Sequence, residues 1–388
     1  MSLWWVQKDQ LDPTQLDLVE NLPLRENFLI LGPAGSGKTN VLLRRAQFVR
    51  AMDMPNVLVL AFTRPLTEFI KTGCFDAQNR EVFPPNCVMT VEAWLRRLYA
   101  QHGEELPESC SNLVEWKKQL AAGASGFQKR GRLPKYEAVF VDEAQDLLSE
   151  EVELLAEWSS VLFFVGDDRQ KIYQAADGLE TIKQFIPNSH TRLLPFHYRI
   201  APEICRMADR IFIPHGGEGL EMTSHYKGPR PGTIAMNGPL ERNIQLKKAK
   251  EILKDQVRVY ADLIKQGDRL GVIVARTEDR DAVFNYLQED PALEGMSKII
   301  RSRGENDQSY DPSFEADVPI CILTVQGCKG LEFRAVHWLF SEELSWHHTN
   351  EHYYTVVTRA KTRLDIYYRN ALPEILARAY SQKPENLW

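Results

Sequence analysis

The sequence predicts an α/β protein built from two parallel-sheet domains, and three observations predict it. Short, wholly apolar runs recur along the chain, separated by amphipathic stretches of helical period. Runs of that kind suit strands buried on both faces of a parallel sheet. The first of them ends in a glycine-rich turn that leads directly into a helical stretch, which is how a strand–helix–strand unit begins.

The apolar runs fall into two sets. Phe28–Leu31, Val57–Ala61, Ala138–Val141 and 162–165 form the first, and 270–275, Ile320–Thr324, 336–340 and 365–368 the second. Helical blocks after Pro202 and over about 240–264 lie between the sets. The reading is therefore a first domain over 1–197 and a second over 198–388, with a hinge near 195–201. Two stretches rich in turn residues, 102–134 and 302–317, read as loops or inserts. A chain of 388 residues is long enough for two or three domains. A formal net charge of −6 excludes a protein coated with cations but leaves room for a basic groove. Cys74, Cys87, Cys110, Cys205, Cys321 and Cys328 stand far apart and form no C-x-x-C pair. Neither a disulfide framework nor a zinc ribbon follows from that spacing, and reduced thiols are expected. No stretch approaches membrane-spanning length, so the expectation is a soluble cytoplasmic protein without membrane partners.

Gly32-Pro33-Ala34-Gly35-Ser36-Gly37-Lys38-Thr39 fits the pattern G-x-x-x-x-G-K-[ST], with an apolar run before it and a helical stretch over 40–50 after it. Glycines at this spacing let successive backbone N–H groups wrap a phosphate, and the helix N-terminus adds partial positive charge. Lys38 can reach the β- and γ-phosphates of ATP, and the Thr39 hydroxyl can ligate Mg²⁺. The metal's second ligand should be an acid at the end of another buried strand. The run Ala138–Val141 leads straight into Asp142 and Glu143, one for the metal and one to activate water as general base. A transferring γ-phosphate develops charge on its oxygens, so cations from the other half of the chain would complete the site and close a cleft over ATP.

Val141-Asp142-Glu143-Ala144-Gln145-Asp146 resembles the corresponding motif of superfamily 1 helicases of the UvrD/Rep/PcrA group, and further stretches agree with that group in order. The resemblance implies two RecA-like domains and gives several residues expected roles. Leu11-Asp12-Pro13-Thr14-Gln15 looks like the adenine-reading motif, with Gln15 on the base; Asn40 follows the loop threonine, where the group often has arginine. Leu60-Ala61-Phe62-Thr63-Arg64 looks like the motif that lines the single-strand path, and Thr90 falls in the next such motif. In Val165-Gly166-Asp167-Asp168-Arg169-Gln170-Lys171-Ile172-Tyr173, Gln170 would sense the γ-phosphate and Tyr173 would face the strand. In His197-Tyr198-Arg199, Tyr198 would stack on adenine and Arg199 reach the γ-phosphate. Leu323-Thr324-Val325-Gln326-Gly327-Cys328-Lys329-Gly330-Leu331-Glu332-Phe333 would put Thr324 and Gln326 on nucleic acid and Glu332 on the ribose. Tyr354-Thr355-Val356-Val357-Thr358-Arg359-Ala360-Lys361 would supply Arg359 as an arginine finger.

What the resemblance implies as a whole is an ATP-dependent translocase on single-stranded DNA, with 3′-to-5′ polarity. Departures concern the nucleic-acid path. Gln174-Ala175-Ala176 stands where the group has Gly-Trp-Arg, and Glu92 where it has a histidine. The intervals 99–135 and 302–317 are too short for the group's accessory subdomains. A motor or switch subunit with little unwinding of its own, working beside a nuclease or other protein, is the alternative. His348-Thr349-Asn350-Glu351-His352 matches H-x-x-E-H but reads better as a polar helix than as a zinc site. The basic run Lys129-Arg130-Gly131-Arg132 with Lys135 suits a phosphate contact or a solvated loop equally.

Overall fold

The computed structural model describes residues 5, 8–76, 78–108, 110, 112–131, 133–170, 177–212, 218–229, 231–301, 318–344 and 349–381. The chain divides into two compact units, Trp5–Pro195 and Phe196–Trp388. Each is built on one six-stranded sheet in which every pairing is parallel.

The first sheet contains β1 (Phe28–Leu31), β2 (Val57–Ala61), β3 (Val88–Thr90), β4 (Ala138–Val141), β5 (Leu162–Gly166) and β6 (Thr191–Leu193), in the order β3-β2-β4-β5-β1-β6. The central strands are buried along their whole length because helices must return between parallel strands and cover the sheet. Leu29, Leu58, Leu60, Val139, Val141 and Phe164 pack with Trp94, Leu120 and Trp158 in one core. The helix Leu113–Ala124 occupies the interval read as a reduced insert. Its inner face, Trp116, Leu120, Ala121 and Ala124, joins that same core.

The second sheet contains β7 (Thr233–Asn237), β8 (Leu270–Val274), β9 (Ser297–Ile299), β10 (Ile320–Thr324), β11 (Phe333–Trp338) and β12 (Ala360–Tyr367), in the order β7-β12-β11-β8-β10-β9. Its core gathers Leu270, Val272, Val274, Ile320, Ile322 and Ala335 under Leu253, Val283 and Leu287.

The α/β class with two parallel sheets is as the sequence predicts, and the boundaries differ in instructive places. The run expected at 336–340 starts earlier, at Phe333, and that expected at 365–368 starts at Ala360, where a buried lysine and threonine hide the strand. The helical block expected over 240–264 is two helices, Arg242–Val259 and Ala261–Lys265. β3, β6, β7 and β9 carry no long apolar run, and each lies at or next to a sheet edge. The interval 302–317 lies outside the described residues. No helix among the described residues is long and apolar enough to cross a membrane.

His337 of β11 illustrates how tightly the second core is closed. It is fully buried, with Nδ1 on the Tyr367 hydroxyl and Nε2 on the Gln256 side-chain oxygen, each at 2.9 Å. Burial pushes its imidazole down from 6.5 to about 4. A folded-state value below the unfolded one means that His337 adds stability above pH 6.5 and loses it as the pH falls toward 4. The expected contribution is roughly 3 kcal/mol. Urea midpoints of the wild type should fall over that window, and His337→Gln should flatten the slope; an unchanged slope would show that His337 titrates normally.

Candidate nucleotide site

The loop after β1 and the ends of β4 and β5 stand side by side, because β4, β5 and β1 are neighbours in the sheet. This is the carboxyl edge of a parallel sheet, where open α/β folds place ligands. Gly32–Gly37 leads into the helix Lys38–Ala51. A Cβ at Gly32 would lie 2.7 Å from Ser36 Oγ and 2.9 Å from Leu194 Cβ, so only glycine fits there. Gly37 has φ +83°, in the left-handed region. The Gly32 N–H is held by the Gly166 carbonyl at 3.2 Å, tying the loop to β5.

Lys38 Nζ donates to the loop carbonyls of Gly32 and Pro33 at 2.8 and 2.9 Å. The Thr39 hydroxyl donates to Asp142 Oδ2 at 2.7 Å. Asp142 is 3% exposed, and its N–H is bound by Leu60 of β2. Burial, and then the charge of Glu143, raise its carboxyl above the usual range. Such a carboxylate gains strongly from a cation. Ser36 Oγ, in the loop, is fully buried and has no hydrogen-bond partner among the described residues. A buried unpaired hydroxyl costs free energy unless a ligand answers it. The donor set thus fits a phosphate chain on the loop and a hard cation on Thr39 and Asp142.

Glu143 sits in the left-handed region at φ +56°, which is uncommon for a residue with a side chain. Its Oε2 accepts a short hydrogen bond from Gln145 Nε2. Gln145 is wholly buried, and its Oε1 accepts the Asp167 N–H at 3.0 Å. Asp167 in turn accepts from Gln170 Nε2 at 2.7 Å. One amide therefore joins the acid after β4 to the segment after β5 that carries Gln170. Gln145 was legible only as part of a motif; its role needs the two strand ends to be adjacent.

Gln15 lies buried behind the loop. Its side chain completes a capping box with Asp12, while Nε2 donates to the Ser36 carbonyl at 2.9 Å. Asn40 is buried in the first turn of the loop helix, and Ala34 is buried in the loop. Phe62 is half-buried at the end of β2. Thr63 and Thr90 cap the helices Arg64–Thr72 and Val91–His102, accepting from Leu66 and Ala93, and Arg64 is exposed. Glu92 is paired with Arg96 at 2.9 Å, so its charge beside Thr90 is partly offset. Tyr173 and His348 lie outside the described residues. His352 contacts Thr349 at the start of its helix through Nδ1.

The second unit gathers its charges at the amino ends of β8, β11 and β12. Arg199 Nη1 donates to Glu332 Oε2 at 3.0 Å. Against the effect of burial, the charges of Arg199, Lys361 and Arg359 hold the Glu332 carboxyl below its usual range. Arg359 is 3% exposed and donates to the carbonyls of Thr355 and Leu331, each at 3.0 Å. Lys361 donates to Asp268 Oδ1 at 2.7 Å, and Arg334 donates to Asp268 Oδ2 at 2.5 Å and to Thr362 at 2.9 Å. The two partners of the lysine pair respond in opposite senses. Asp268 is held low by Lys361 and Arg334 in spite of burial, whereas burial outweighs the attraction of Asp268 for Lys361 and pushes the lysine down to about 8. Tyr198 lies edge-on to His225, with Lys227 Nζ 5.8 Å from its ring centre. Thr324 is buried at the end of β10 and accepts from Gly327, and Gln326 is half-buried beside it.

These features define the first unit as a nucleotide-binding unit of the phosphate-binding-loop class. Residues 15–176 match the family described as an AAA domain. Among curated proteins the chain is similar to F-box DNA helicase 1 of Gallus gallus, 29% identical over 117 residues. That match takes in 28% of this chain and 11% of the relative, so the chain spans only a small part of the relative's length. Among solved structures it is similar to that of the PRRSV helicase, with a TM-score of 0.44 and 13% identity over 93% of this chain and 57% of that one.

Asp268 is the anchor of the second unit's charges. Asp268→Ala leaves Lys361 and Arg334 buried beside each other without their carboxylate. The expected loss is about 3–5 kcal/mol of stability, read as a lower urea midpoint at pH 7. A loss below about 1 kcal/mol would show that water or other partners already serve both cations.

Proposed function

We propose that this chain is an ATP-hydrolysing motor of the helicase type that moves on single-stranded DNA, in the 3′-to-5′ direction of the UvrD/Rep/PcrA group it resembles. The observation that carries the ATPase half is the buried Asp142 carboxylate bound to the loop hydroxyl of Thr39, with Glu143 held beside it. The order of the motif-like stretches and the likeness of residues 15–176 to an AAA domain support the motor half.

The loop amides and Lys38 bind the phosphates of ATP, with Lys38 giving up its carbonyl contacts for phosphate oxygens. Thr39 and Asp142 hold Mg²⁺, which when bound supplies counter-charge to the β- and γ-phosphates. Glu143 accepts the proton of the attacking water. Gln145 fixes the carboxylate of Glu143 and passes its position to Asp167 and Gln170, so that the state of the γ-phosphate reaches the end of β5. Gln15 reads the adenine, Tyr198 stacks on it, and Glu332 takes the ribose. Arg199 and Arg359 stabilise charge on the transferring phosphoryl group. The second unit suits that role, since Arg199, Arg334, Arg359 and Lys361 outnumber Asp268 and Glu332 in one largely buried cluster. Phe62, Thr63, Arg64, Thr90, Tyr173, Thr324 and Gln326 serve the strand. Phe62 contributes stacking and Arg64 charge, while Thr63 and Thr90 chiefly shape helix starts and Thr324 the turn after β10.

Steady-state ATPase assays with and without single-stranded DNA test this reading. Stimulation by the strand is expected, with Lys38→Ala inactive and Arg359→Ala slowed about a thousandfold in kcat. A rate indifferent to every nucleic acid would remove the motor half and favour a switch. Gln145→Ala should lower kcat about 10- to 100-fold while nucleotide affinity stays near wild type, since only the placement of Glu143 is lost. Equal losses in affinity and kcat would mean that Gln145 merely supports the fold.

A further inference from the structure

The helix Leu113–Ala124 carries a lysine that no motif accounts for. Lys117 Nζ lies 4.5 Å from the centre of the Phe62 ring. Phe62 follows β2, on the sheet edge that holds the nucleotide loop, and is half-buried. Two neighbouring cations, Arg96 and Lys118, are otherwise engaged. Arg96 pairs with Glu92 and lies over Trp116 at 5.0 Å, and Lys118 pairs with Glu150 at 3.3 Å. Lys117 forms no salt bridge among the described residues. Burial raises the Glu151 carboxyl above its usual range, and the charge of Lys117 and the Leu148 N–H oppose this only in part. The helix is rigidly placed, because Trp116 and Leu120 on either side of Lys117 are in the first unit's core.

We infer that Lys117 is a nucleic-acid contact, and that with Phe62 it forms one subsite of the single-strand path: a base on the ring and the adjoining phosphate on the ammonium. The inference rests on the proposed function and deepens it. A cation over an aromatic ring is held weakly, and a nucleobase stacks on such a ring more strongly. An arriving base therefore takes over the ring. The ammonium, on a flexible four-carbon stem, turns to the flanking phosphate and keeps the charge complementary throughout. The helix in place of an accessory subdomain thus supplies the strand with a cation besides Arg64.

The test is equilibrium binding of a fluorescein-labelled dT oligonucleotide of about 16 nucleotides to the whole chain, over a series of salt concentrations. Lys117→Ala should weaken binding about fivefold at low salt and lower the slope of log K against log salt by about 0.7. Lys117→Arg should restore both, and Lys118→Ala should change neither. Phe62→Ala should weaken binding about tenfold with the slope unchanged, because stacking releases no counterion. An unchanged slope in Lys117→Ala, an equal effect of Lys118→Ala, or tighter binding without Lys117 would each overturn the inference while leaving the motor reading intact. A wild-type chain that binds no oligonucleotide would remove the motor reading, and the inference with it.

Discussion

The hydrogen bond from Thr39 to the buried Asp142 carboxylate is the contact on which the first unit's chemistry depends. It joins the helix after the glycine-rich loop to the end of β4, two strands away in the sheet. A carboxylate at 3% exposure is costly unless it is answered, and here a hydroxyl and the Glu143 N–H answer it. Everything else at that edge follows from the same geometry. The loop must be glycine at Gly32 because Leu194 and Ser36 crowd it, and Glu143 takes the left-handed conformation where the chain leaves β4.

Gln145 extends the arrangement sideways. A short carboxylate bond at one end of its amide and a backbone bond at the other make it a rigid strut between the ends of β4 and β5. A neutral amide suits this place better than a carboxylate or a lysine would. It can donate to one neighbour and accept from the other at once, with no added charge beside Asp142 and Asp167. The strut gives a physical reason for reading Gln170 as responsive to the same event as Glu143.

The parallel strands of both sheets were legible because burial on both faces leaves an uninterrupted apolar run, as in Val57–Ala61 and Ile320–Thr324. Edge strands were not: Thr191, Arg192 and Leu193 of β6 are partly solvated and carry no run. β12 was legible only from its middle, since Lys361 and Thr362 read as surface residues until Asp268 and Arg334 are seen to receive them. The loop, Thr39, Asp142 and Glu143 could be read from spacing because local chain geometry places them. Gln15 illustrates the limit. Its place at the nucleotide was read only from the resemblance, and the structure gives its amide two partners, the capping box and Ser36, that depend on how the first helix packs.

Lys117 and Phe62 stand 55 residues apart in sequence, and no pattern links them. What links them is packing. A helix whose inner face carries Trp116 and Leu120 must present the residue between them sideways, and the end of β2 is what lies there. The same packing restrains Arg96 over Trp116 and sets Lys117 over the Phe62 ring. Lys117 is one of 47 basic residues in the chain. Placing one on an aromatic face gives it a weak, exchangeable partner instead of a strong one. That suits the proposed strand subsite, where a full ion pair would have to be broken before a phosphate could be bound.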